Sequence, residues 1–155
     1  MSATTHSETR IVPYSTDLMY RVVADVVQYP KFLPWVVALR VLSRAHDGER
    51  DVVLAEMAVG YGALREKYTS RVVLDPAARS IDVAQTTGPF RQLENHWRFA
   101  PEGTGCRVDF SLVYEFKNRL LNAVAGAAFG KVYIAMADAF VARAKALSDQ
   151  AVQQG

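Results

Sequence analysis

Between Val36 and Phe116 the apolar residues return at every second position, and from Arg119 onward they return at helical spacing. A chain that stays so long in period two and switches once has few architectures open to it. The strands must share one apolar face, and the last helix is the element able to cover it. The clearest strand is Cys106 to Phe116: Cys106, Val108, Phe110, Leu112, Tyr114 and Phe116 share one side, and Arg107, Asp109, Ser111 and Glu115 the other. This is the pattern of a half-buried antiparallel strand. Gln92 to Phe99 alternates alike, with Leu93, Asn95, Trp97 and Phe99 inward. His46-Asp-Gly48, Asp75-Pro-Ala-Ala78, Thr87-Gly-Pro89 and Pro101-Glu-Gly-Thr-Gly105 are turn signals between strands. Gly60-Tyr61-Gly62 falls inside an otherwise continuous strand pattern and predicts a bulge or sharp bend.

The ends are helical or capped. Thr4 to Pro13 predicts a first strand, and Ser15 an N-cap with Asp17 in the first helical turn. Leu18, Val22, Val23 and Val26 form a stripe at helical spacing. Tyr29-Pro-Lys-Phe-Leu-Pro-Trp35 follows, and its two prolines leave room for only a short helix. Such a segment turns while burying its aromatics, as a cap over an apolar interior does. The final helix is expected over Arg119 to Leu147. Ala125, Phe129, Val132, Tyr133, Met136, Phe140 and Leu147 face inward; Lys131, Asp138 and Lys145 face away. The expected organisation is a single α+β domain over residues 4–147, with a disordered polar tail at 148–155.

Composition removes several function classes. In 155 residues, 18 basic and 16 acidic side chains leave a net charge of +2 with no basic block, so DNA binding is not indicated. Cys106 is the only cysteine, on an apolar strand phase that predicts a buried, inert thiol. His6, His46 and His96 are isolated, so no metal site is expected. The N-terminus is polar, and no run reaches the about 18 apolar residues of a membrane span, so a soluble intracellular domain is expected. There is no nucleophile elbow, P-loop or dinucleotide fingerprint. Among the strand carboxylates Glu56, Glu66, Glu94 and Glu115, the last two fall on polar phases where solvent is the default. No paired acid and base emerges, and the chain reads as a non-enzyme.

What the sequence supplies is bulky apolar surface. Phe32, Leu33, Trp35, Met57, Phe90, Trp97, Phe110, Tyr114, Phe129, Tyr133, Met136 and Phe140 all fall on inward phases and are the expected lining of a ligand cavity. Met57 and Met136 would lend the wall some tolerance of shape. Leu120 to Gly130 is apolar on nearly all sides, carries Gly126 and Gly130, and follows Lys117 and Arg119. It is expected to act as a movable gate able to touch a membrane.

The block VADVVQYPKFLPW, Val23 to Trp35, resembles the coenzyme Q-binding branch of the START-like (polyketide cyclase/dehydrase) superfamily, a branch that includes bacterial ribosome-association toxins. Tyr68-Thr-Ser-Arg-Val72, Gly88-Pro-Phe90 with Trp97, and Asp138-Ala-Phe140 with Arg143 extend the resemblance from Thr9 to Leu147. It implies a helix-grip (START/Bet v 1-like) fold, a curved antiparallel sheet wrapped around the long C-terminal helix. It implies a non-catalytic binding protein or chaperone for a hydrophobic isoprenoid, ubiquinone first, supporting respiratory electron transport without a catalytic cofactor. Tyr61, Tyr68, Tyr114 and Tyr133 are the candidate donors to the quinone oxygens. A long tail would overfill a pocket of about 300–1,000 Å³, so partial insertion is expected. The resemblance also implies a cytoplasmic protein, peripheral at the inner membrane. The alternatives are a ribosome-binding regulator that blocks subunit association, using Arg40, Arg44, Arg50, Arg65, Lys67, Arg71, Arg79, Arg91 and Arg98, and a cyclase-like enzyme.

Overall fold

The computed structural model describes residues 3–61 and 64–154, with side chains at 3–60 and 65–151. The elements run β1 (Thr4–Val12), α1 (Thr16–Ala24), a 3-10 turn (Val26–Gln28), α2 (Tyr29–Phe32), β2 (Val36–Asp47), β3 (Arg50–Tyr61), β4 (Leu64–Asp75), β5 (Ser80–Thr87), β6 (Phe90–Glu102), β7 (Gly105–Phe116) and α3 (Arg119–Gln154). The strands form one antiparallel sheet in the order β1-β7-β6-β5-β4-β3-β2. The first and second strands are its opposite edges, so α1 and α2 carry the chain from one edge to the other. That path makes them the end wall of the grip.

Local chemistry sets the boundaries. The Ser15 hydroxyl accepts from the Leu18 amide at 3.1 Å and starts α1. At the β5–β6 turn, the Gln85 side chain accepts from the Phe90 amide at 3.0 Å and donates to its carbonyl at 2.8 Å. The sheet curls where its register slips, at Val36/Ala38 and Val41/Ser43 between β2 and β3, Thr69/Ser70 between β4 and β5, and Phe90/Gln92 between β6 and β7. The bend expected at Gly60–Gly62 is instead a chain reversal. β3 ends at Tyr61 and pairs with Leu64 at the start of β4, and Gly62 lies outside the described residues. Gly60 lies beside a chain reversal, which the periodicity alone could not separate from a bulge.

α3 closes the fold. By length and by mean hydropathy (1.5 over its most apolar 18-residue stretch) it could cross a membrane, yet Ala125, Phe129, Val132, Tyr133, Met136, Ala137, Phe140 and Ala144 are buried in the core. Arg10 on β1 holds it through Asp138 at 2.5 Å. The helix also continues past Leu147, where a disordered tail was expected. No Gly or Pro follows until Gly155, and Lys145 pairs with Asp149 at 2.7 Å across one turn.

Glu115 departs from its expected solvent position. It is 6% exposed and meets Arg91 Nε at 3.0 Å, because Tyr114, Glu115 and Phe116 are buried in succession and Arg91 lies across the end of the strand. Gly126 and Gly130 have a packing role. The Tyr114 hydroxyl donates to the Gly126 carbonyl at 2.6 Å, and a Cβ on Gly130 would fall 2.9 Å from that hydroxyl. At Gly126 a Cβ would meet nothing closer than Asn122 Oδ1 at 3.6 Å. Gly126→Ala is therefore expected to stabilise the protein by about 0.5–1 kcal/mol, and Gly130→Ala to destabilise it by about 1–3 kcal/mol. Urea unfolding of the two variants checks the opposite signs.

Candidate functional site

The concave side of the sheet divides into a filled half and an unfilled half. Over β6 and β7, Phe90 stacks on Phe116 with centroids at 4.5 Å, and Phe129 from α3 meets Phe90 and Tyr114, each at 4.8 Å. Beside them Trp97 packs on Phe110 at 4.7 Å and on Phe140 at 5.3 Å. The gap left there is about 10 Å³. That is well below the about 30 Å³ a water occupies in the liquid, so these aromatics form a solid core.

Over β2–β5 the side chains are smaller and a cavity of about 40 Å³ remains. Its walls are Leu39, Ala55, Met57, Tyr68, Ser70, Val72, Val83 and Asn95 from the sheet, Val26 and Tyr29 from the cap, and Tyr133 and Met136 from α3. Among the described residues no charged side chain lines it. Tyr29 is fixed by its hydroxyl, which donates to the Val23 carbonyl. Asn95 is held between the Ser111 carbonyl (2.9 Å) and the Trp97 indole N–H (2.7 Å). The Tyr68 and Tyr133 hydroxyls stand 3.5 Å apart, and burial pushes the pKa of each above the ordinary tyrosine value. Ser70 Oγ is buried with no hydrogen-bond partner among the described residues. Such a group costs about 1–3 kcal/mol of desolvation.

The expected lining residues thus separate. Met57, Tyr133 and Met136 meet at the cavity. Phe90, Trp97, Phe110, Tyr114, Phe129 and Phe140 do not line it; they fill the other half of the core. Leu33 and Trp35 are buried beneath the cap at 0% and 9% exposure. Phe32 turns outward, into a groove of about 560 Å³ between α1 and the end of α3. Among the candidate donors, Tyr68 and Tyr133 reach the cavity, the Tyr114 hydroxyl is taken by Gly126, and the side chain of Tyr61 lies outside the described residues. Ser70, Asn95 and Tyr29 were missed as lining. The signal for Ser70 was its strand phase, shared with Tyr68 and Val72; Asn95 shares the inward phase of Trp97.

Between groove and cavity stands a wall one segment thick. Asp25, Gln28 and Phe32 face the groove, while Val26 and Tyr29 face the cavity. Phe140 supports the wall from behind, 5.2 Å from Tyr29 and 5.7 Å from Phe32, and the Arg143 guanidinium lies 5.4 Å over the Phe32 ring. Elsewhere the chemistry is quiet. Cys106 is fully buried, and burial raises its thiol pKa. His96 Nδ1 and Arg98 both reach Asp82 on the outer face of the sheet, at 2.6 and 2.8 Å.

The curled sheet, the gripped helix and the partly enclosed apolar cavity define a START-like, helix-grip protein. Residues 12–141 match the family described as polyketide cyclase/dehydrase and lipid transport, and the chain belongs to it. A Pseudomonas aeruginosa ribosome association toxin, RatA, is 35% identical over 138 residues, covering 88% of this chain and 92% of that protein. A mitochondrial coenzyme Q-binding protein, COQ10 homolog B of Xenopus laevis, is 34% identical over 139 residues. That match covers 87% of this chain and 55% of the longer protein, so the chain spans about half the length of that relative. The solution structure of an 18 kDa protein from Caulobacter crescentus superposes with a TM-score of 0.78 at 41% identity, covering 94% of this chain and 99% of that one. The family's description includes both catalysts and carriers, so membership alone does not decide between them.

Phe32→Ala, at the half-exposed outer side of the wall, is expected to cost about 1–2 kcal/mol, and Phe140→Ala about 3–5 kcal/mol. Thermal and urea unfolding give the comparison. Equal losses would mean that the cap is as tightly packed as the core.

Proposed function

We propose that the protein is a non-catalytic carrier for a hydrophobic isoprenoid, with ubiquinone the first candidate. The observation that carries this reading is the partly enclosed cavity, apolar along most of its wall, edged by hydroxyl groups and without a charged side chain among the described residues. A quinone head asks for that combination: apolar walls for the ring and a few donors for its oxygens. The similarity to coenzyme Q-binding proteins supports the same ligand class.

The cavity at about 40 Å³ is smaller than any quinone, so binding requires the wall to move. The one-segment partition at Val26–Phe32 is where this costs least. Behind it lie two methionines, Met57 and Met136, that can change rotamer as the space grows. The head would then occupy the widened cavity, and the tail would leave toward the outer groove. Each buried methylene contributes about 0.8 kcal/mol, so a few isoprene units suffice for retention.

A second reading, ribosome association, is favoured by the similarity to RatA over nearly that protein's full length. The surface supports it less. Arg40 and Lys67 pair with Glu56, Arg50 with Asp47, Arg79 with Asp17, Arg91 with Glu115 and Arg98 with Asp82. Each of those cations already has an acidic neighbour competing with a phosphate, while Arg44 and Arg71 have no ion pair among the described residues. The test is mass spectrometry of an organic extract from gently purified protein, beside sedimentation with ribosomal subunits. Near-stoichiometric quinone or isoprenoid is expected. Extracts that stay free of lipid after quinone is offered in vesicles, with salt-sensitive sedimentation, would replace this reading by the ribosomal one.

A carrier must also reach its lipid. Leu120 and Val124 are 72% and 62% exposed on α3, Ile134 continues the same stripe, and Lys117, Arg119 and Lys131 flank it without an ion pair among the described residues. No acidic residue occurs between Glu115 and Asp138. We propose that this stripe rests on an anionic membrane. The double variant Leu120→Asp with Val124→Asp is expected to lose most binding to anionic vesicles in a flotation assay while keeping its melting temperature; unchanged flotation would remove the stripe from this role.

A further inference from the structure

The polar atoms of the cavity are arranged in an uneven way. Asn95 commits its side-chain oxygen and one of its two amide N–H groups to the protein, and Tyr29 commits its hydroxyl proton. The hydroxyls of Ser70, Tyr68 and Tyr133 are less engaged. Ser70 is 6% exposed, lines the cavity, and its hydroxyl has no partner among the described residues. It sits at the slip in register between β4 and β5, where Thr69 pairs with Thr87 and Ser70 with Gln85. The Tyr68–Tyr133 oxygen separation of 3.5 Å lies beyond the about 2.5–3.0 Å of a full O–H···O bond. If that weak bond uses one tyrosine proton, the other tyrosine proton and that of Ser70 are still free to be donated.

Burial keeps both phenols protonated, so their capacity is that of neutral donors. Among the described residues no Lys, Arg or His lines the cavity to pair with an anion. A carboxylate or phosphate placed here would lose its hydration without a counter-charge, a strongly unfavourable exchange. A carbonyl oxygen would lose far less and would gain two donors.

We infer that Ser70, together with the Tyr68–Tyr133 pair, is the polar-head subsite, and that it takes an uncharged carbonyl acceptor such as a quinone oxygen. This rests on the carrier reading above and adds to it the orientation of the ligand, head innermost, and the charge of the group admitted. Ser70 acts by touching the ligand; its hydroxyl has no partner among the described residues through which to support the fold.

The test is isothermal titration calorimetry of the full chain with three probes of matched chain length: a short-tailed ubiquinone, an alkylbenzene without carbonyls, and a fatty acid in its ionised form. The wild-type protein is expected to bind the quinone at least tenfold more tightly than the fatty acid. Ser70→Ala is expected to weaken quinone binding about 5–10-fold, leave the alkylbenzene unchanged, and keep or raise the melting temperature. Tyr133→Phe, a second and independent variant, is expected to weaken the quinone in the same selective way. Quinone binding that is equal in the wild type and both variants, or a fatty acid held as tightly as the quinone, overturns the subsite while leaving the carrier reading in place. Failure of the wild-type protein to bind any of the probes overturns both.

Discussion

The apolar face of the sheet extends from Val12 on β1 to Val53 on β3, and one helix has to shield it. An α-helix is about 10–12 Å across with its side chains, whereas seven strands spaced at about 4.8 Å are far wider even when curled. α3 therefore cannot touch all of the face at once. It settles against β6 and β7, where Phe129 and Phe140 interlock with the strand aromatics. The uncovered remainder, over β2 to β5, is bridged by the segment between α1 and β2. The cavity lies under that bridge as a consequence of the mismatch in width.

The fold was legible because its signals are periodic. On Cys106 to Phe116 and Leu93 to Phe99 the residues read as inward are buried in the structure, and only Glu115 joins them out of phase. The site was legible only in part, and the reason is physical. In the sequence large inward side chains read as pocket walls, but large side chains fill space. Phe90, Tyr114 and Phe129 close their half of the core for that reason. A cavity persists where the inward residues are small or flexible, at Ala55, Ser70, Val83, Met57 and Met136. The same volume argument could be applied to sequence alone wherever strand phase is secure. On β4 it was not secure, since the glycines near its start left the register open.

Two kinds of surface are set apart on one small molecule. The strands' outer face carries interleaved ion pairs, among them Asp82 with His96 and Arg98, and Glu56 with Arg40 and Lys67. The first half of α3 instead leaves cations beside exposed leucine and valine. Exposed ion pairs contribute little stability, so the outer face owes its arrangement more to solubility than to folding.

The wall between groove and cavity is built from the shortest helix in the fold, and the prolines at 30 and 34 bring no amide hydrogens to it. Displacing it breaks a few hydrogen bonds, such as that from the Leu33 amide to the Tyr29 carbonyl, while every strand pairing stays intact. If the protein is the carrier proposed above, its lifetime and its rate of ligand exchange would be governed by different residues. Substitutions in the sheet would set how long the fold persists, and substitutions around Tyr29 and Phe32 would set how quickly a cargo is released. A lineage could shift from slow storage to rapid shuttling by changing a few cap residues, with the rest of the molecule untouched.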